Sequence, residues 1–154
     1  MYPLARLSAL LAASLALTLG SAAALAHGDA TPDTMKSAHG GQAGMAGTYY
    51  FELVVEKNTQ EAKDKPVQVY VTDHAGAKLS TAGATGTVTL LSGKSKSTAT
   101  LRPDGDNRLK GVANYASTPD LKAVVSITMP GKQPEQARFT PMSASKDGHT
   151  DHTH

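Results

Sequence analysis

Residues Tyr49 to Lys57 read YYFELVVEK and, after a polar interval that ends at Pro66, Val67 to Thr72 read VQVYVT. Tyr49, Phe51, Leu53 and Val55 alternate with Tyr50, Glu52, Val54 and Glu56 in the first stretch, and Val67, Val69 and Val71 alternate with Gln68, Tyr70 and Thr72 in the second. Side chains along a strand point to opposite faces in turn, so these patterns predict two half-buried strands whose odd positions face a core. An amphipathic helix would repeat its apolar residues every three to four positions, and no stretch of helical length between Thr48 and Pro141 does so.

The surrounding sequence carries the same signals. Short runs rich in Val, Leu and Thr predict strands at Thr85–Leu91, Ser97–Arg102, Arg108–Tyr115, Ala123–Met129 and Gln136–Thr140. They are separated by segments with the chemistry of turns: Asp73-His74-Ala75-Gly76, Pro103-Asp-Gly-Asp-Asn107 and Met129-Pro-Gly-Lys132. Thr118-Pro119-Asp120 can open one helical turn, with Thr as its cap. About seven strands and no helix predict an all-β domain over residues 48–141, an antiparallel β-sandwich of immunoglobulin-like character.

Three flanking segments differ in composition. In residues 1–26 a single base, Arg6, precedes the apolar run Leu7 to Leu19, and Ala24-Leu25-Ala26 supplies a small-x-small cleavage pattern, the organisation of a cleaved secretory signal peptide. The run is shorter than the roughly 20 residues that span a bilayer, and no basic stop-transfer flank follows it, which argues against an uncleaved anchor. The expected destination is the periplasm, with no membrane span after cleavage. Residues 27–47 are rich in Gly, Ala and Thr without apolar periodicity and are expected to form a flexible leader; residues 142–154 form a polar, His-rich tail expected to be disordered.

Composition excludes several functions. The chain has no cysteine, which removes thiol redox chemistry and any disulfide. Without the first 26 residues, 14 basic side chains face 13 acidic ones, and this near-neutral balance does not predict a nucleic-acid partner. Asp104-Gly-Asp106-Asn107 opens like a calcium loop, but its twelfth position is Tyr115 where a bidentate Glu is needed. Gly83-Ala-Thr-Gly86 lacks the Lys-Ser/Thr ending of a phosphate loop, and no Gly-x-Ser-x-Gly elbow exists. The domain is also too small and aromatic-poor for a copper mono-oxygenase, so no enzymatic activity is expected.

What remains is histidine. His27, His39, His74, His149, His152 and His154 all fall in the tails or in a turn, where neutral imidazoles can bind metal. His149, His152 and His154 lie within eight residues together with Asp147 and Asp151, a segment able to wrap one divalent ion or, on the simpler reading, a polar solubilising tail. Cleavage after Ala26 would give His27 a free amine that chelates together with its own ring, a pairing that favours Cu(II). Met35 and Met45 in the leader add soft thioethers suited to copper, and zinc or nickel are the next candidates.

A signal peptide ending Ala-His, a small cysteine-free β-sandwich and scattered His and Met resemble the periplasmic copper-resistance carriers, and the core is similar to small immunoglobulin-like modules encoded beside metal-efflux systems. The resemblance implies a copper carrier or buffer whose mature N-terminal histidine, here His27, is a ligand. It implies a second histidine and an aspartate in a loop, for which Asp73 and His74 are the nearest counterparts although their spacing differs, and as partner an envelope metal-efflux component. The alternative is a metal-independent module that docks an envelope partner through a sheet edge or its Tyr-bearing face.

Overall fold

The computed structural model describes residues 37–57 and 59–143, and among them there are eight β-strands and no helix. These are β1 (Gln42–Ala46), β2 (Tyr49–Val55), β3 (Lys63–Asp73), β4 (Thr85–Ser92), β5 (Ser95–Pro103), β6 (Arg108–Tyr115), β7 (Lys122–Thr128) and β8 (Pro134–Phe139). All pairings are antiparallel, in the order β1-β2-β3-β6-β5-β4-β7-β8. The all-β reading therefore holds, with one strand more than expected. Gln42–Ala46, assigned by composition to the leader, is that extra strand.

The alternation read from the sequence decides what is buried. Phe51 and Leu53 of β2 and Val67, Val69 and Val71 of β3 are fully enclosed, as are Val88, Leu109, Val125 and Ile127 from strands farther along the sheet. These side chains form one continuous core. Burying a Val, Leu, Ile or Phe side chain stabilises the fold by roughly 1.5–3 kcal/mol each, so this interior dominates the stability of a domain that has no disulfide.

The sheet nearly closes on itself. β1 and β8 lie side by side without a ladder between them: the ring of Phe139 fills the space a side chain at Gly44 would take, and the Thr140 N–H donates to Gln42 Oε1 at 2.8 Å. β5 runs against β4 along most of its length and pairs with β6 at Arg102 and Pro103. Gly111 permits this close approach, since a Cβ there would lie 2.5 Å from the Thr100 carbonyl oxygen.

The predicted turns are present. Asp73 Oδ1 accepts the N–H groups of Ala75 and Ala77 at 2.9 and 2.8 Å, and Gly76 takes the positive φ the reversal needs. The Asp104–Asn107 segment is the β5–β6 turn, closed by Asp104 N–H to the Arg108 carbonyl at 2.8 Å. Leu121 N–H reaches the Thr118 carbonyl at 3.0 Å, the single turn expected after Thr118.

A charged side chain also enters the apolar interior. The sequence places Lys65 in a polar loop, but β3 begins at Lys63 and turns Lys65 inward, 2% exposed. Its ammonium donates to Thr59 Oγ1 and lies over the Tyr115 ring, while the Tyr115 hydroxyl donates to the Pro66 carbonyl at 2.9 Å. Desolvation pushes the Lys65 amine below its ordinary range and pushes the Tyr115 phenol up.

Candidate functional site

The outward face of β1, β2 and β3 gathers most of the chemistry. Even positions of β2 point outward, and register aligns them into rows: Met45, Tyr50 and Thr72 in one, and Ala43, Glu52, Tyr70 and then Arg108 of β6 in the next. The outward set of β2 is Tyr50, Glu52 and Val54, so Glu52 is a lone acid between a Tyr and a Val.

Residues 37–41 form a strap that returns over this acid. Glu52 Oε1 accepts the backbone N–H of His39 at 2.8 Å and that of Gly41 at 3.1 Å, and Glu52 Oε2 lies 2.8 Å from His39 Nδ1. Lys57 Nζ adds a bond to the Gly40 carbonyl at 2.8 Å. The His39 ring stacks on Tyr70, with centroids 3.5 Å apart and planes 2° from parallel, and the Tyr70 hydroxyl is turned by its bond to Gln68 Oε1 at 3.2 Å.

Magnitudes show how firmly the strap is held. Three hydrogen bonds to a carboxylate at about 1.5 kcal/mol each, with an aromatic contact of about 1 kcal/mol, total about 5–6 kcal/mol. Ordering five residues costs on the order of 5 kcal/mol or more. The strap is therefore close to balance, and a ligand bound to it would shift that balance appreciably.

A carboxylate only accepts hydrogen bonds, so in the neutral His39 ring Nδ1 carries the proton and Nε2 keeps the lone pair. Nε2 has no hydrogen-bond partner among the described residues. This carboxylate–imidazole pairing is the arrangement that orients histidines toward metal ions, the acid fixing the ring and raising the basicity of the free nitrogen.

His74 lies on the same face two rows from Tyr70, just beyond Thr72. Its ring tilts against Tyr50, with centroids 4.7 Å apart, and its Nε2 bonds the Gly47 carbonyl in the β1–β2 turn at 3.2 Å. Met45 stands directly across from Tyr50 in register and is about half exposed. Three of the four described candidates, His39, Met45 and His74, thus share one sheet face. Asp73 does not join them, because its Oδ1 organises the turn that carries His74. Among the described residues no three His, Cys, Asp or Glu side chains form a metal-holding group. His27, Met35, His149, His152 and His154 lie outside the described residues.

No protein-family model, curated protein or solved structure matches this chain. Glu52 and Tyr70, which fix His39, were not singled out from the sequence. No signal in the sequence set Glu52 apart, because Glu56 stands in the same alternating set.

Proposed function

We propose that this chain is an exported binding protein for a transition-metal ion, copper before zinc or nickel, acting as a periplasmic carrier or buffer and not as an enzyme. One observation carries the reading: a histidine on a strap is held by a buried carboxylate, with the lone pair of its other ring nitrogen free, on a face that also presents Met45 and His74. Imidazole and thioether together suit copper better than they suit magnesium or calcium. Two donor-bearing strands and a strap supply too few ligands alone, so the reading assigns the remaining ligands to the histidines and Met35 outside residues 37–143, with His27 and its amine first among them. A handover partner in the envelope would be a component of metal efflux.

The competing reading is a metal-independent interaction module docking through a sheet edge or the Tyr-bearing face. Of these two modes, strand addition has less support, because it needs an open edge and the edge strands β1 and β8 lie against one another.

The test is a titration of the full chain with Cu(II), Cu(I), Zn(II) and Ni(II), beside His39→Ala and His27→Ala. Binding tighter than about 10 μM that weakens at least tenfold in His39→Ala supports the reading. No binding by any of the four ions at that concentration removes it, and binding lost only in His27→Ala moves the site off the sheet face.

A further inference from the structure

We infer that Glu52 is the positioning residue of this face: it fixes His39 as the Nδ1–H tautomer, while the Gly47 carbonyl fixes His74 as the opposite Nε2–H tautomer. An ion taken up at His39 therefore meets Nε2, and one taken up at His74 meets Nδ1. The metal part of this statement rests on the function proposed above, whereas the tautomer part stands on the hydrogen bonds alone.

The Gly47 carbonyl has no proton to give, so the neutral His74 ring must donate to it through Nε2, and its lone pair is left on Nδ1. At His39 the acceptor is Glu52 Oε2, so the proton is on Nδ1 and the lone pair on Nε2. The strap makes the second assignment robust. Oε1 is already committed to the backbone N–H groups of His39 and Gly41, which fixes the orientation of the carboxylate and leaves Oε2 facing the ring. The parallel stack on Tyr70 holds the plane of the ring. Glu52 thus acts through His39 without itself needing to touch an ion.

This arrangement singles out one substitution. In Glu52→Gln the two strap N–H groups still require an oxygen at the Oε1 position, so the new NH2 group takes the Oε2 position and faces Nδ1. An NH2 group donates. The His39 ring must then accept at Nδ1 and carry its proton on Nε2, which occupies the lone pair offered to metal. The strap survives and the donor is lost.

The experiment is 15N-resolved NMR of the histidine rings of the metal-free full chain at about pH 8, with Cu(II) and Zn(II) titrations of the same samples. In the wild-type chain His39 should be the Nδ1–H tautomer and His74 the Nε2–H tautomer. In Glu52→Gln only His39 should invert, His74 serving as the control for an intact fold, and affinity for either ion should fall roughly ten- to a hundredfold. Nε2–H at His39 in the wild-type chain overturns the inference, as does inversion without loss of affinity. If Glu52→Gln does not fold, the wild-type spectrum alone decides the tautomers. If no ion binds the wild-type chain, the proposed function and the metal part of the inference both fail, and the tautomer part is still decided by the spectrum.

Discussion

The Lys65 ammonium lies 4.2 Å from the centroid of the Tyr115 ring, inside the end of the sheet, with no acidic side chain hydrogen-bonded to it among the described residues. A buried cation costs stability that an apolar side chain of the same length would not, and the attraction of Glu56 offsets only part of that cost. Lys65→Met should therefore raise stability by about 1 kcal/mol in urea denaturation, Thr59 keeping its bond to Ser117. Lys65→Ala should lower it by about 2 kcal/mol, because a cavity replaces the aliphatic stem. The pH dependence has a definite sign. Desolvation lowers the folded-state pKa of this amine below 10.5, so between the two values the unfolded chain holds a proton the folded chain lacks. Stability contributed by this group rises with pH across that window, and the rise should be missing in Lys65→Met.

On the outer face, the stack of His39 on Tyr70 provides a local reporter. Substoichiometric Cu(II) should broaden the ring-proton NMR signals of Tyr70 and Tyr50 before those of Tyr115, because paramagnetic relaxation falls steeply with distance and Tyr115 is in the interior. In His39→Ala the order of broadening should be lost. Equal broadening of all tyrosines in the wild-type chain would place the ion elsewhere.

Gly111 should tolerate no side chain. A Cβ there would meet the Thr100 carbonyl oxygen at 2.5 Å and Leu101 Cδ2 at 3.2 Å, and the carbonyl belongs to a paired strand that cannot yield freely. Gly111→Ala should destabilise the domain by about 2–3 kcal/mol, the scale of overpacking, measured by thermal or urea unfolding. Gly105→Ala has open space around its Cβ and should lose only the smaller cost of its positive φ.

Asp120 joins two loops. It accepts a hydrogen bond from the Thr118 hydroxyl and one from the Gly93 N–H at 2.8 Å, and these in that order hold its carboxyl below the usual range. A carboxyl depressed in the folded state contributes stability that is fully present above its unfolded pKa of about 3.9 and is lost as pH falls through the folded value. Asp120→Asn should be less stable than wild type at neutral pH and show a shallower acid transition in a pH series of melting curves.

The core was legible because its signal is local. Phe51, Leu53, Val67, Val69 and Val71 stand two apart in the chain, and that spacing alone sends them to one side of a strand. β1 was not legible, because its inward residues Gly44 and Ala46 have almost no apolar surface of their own. The ring that makes the burial at Gly44 comes from Phe139, far along the chain. Lys65 was misplaced for a related reason: a charged residue in a polar run gives no sign that Tyr115 will offer its ring. The candidate site was half visible. His39, His74 and Met45 could be named as donors by residue type, but the pairing of His39 with Glu52 joins residues 13 apart through a hairpin that the sequence did not announce.

The contact between Gln42 and Thr140 spans 98 residues and joins the first strand to the end of the last. Along this seam there is no ladder to form early and extend; it can come together only when both ends of the domain are present. Non-local closure of this kind slows folding. The consequence concerns timing: until the last strand has been made, Gly44 has no Phe139 to cover it and the interior stays open. A chain with this order of assembly cannot complete its core before Phe139 is in place.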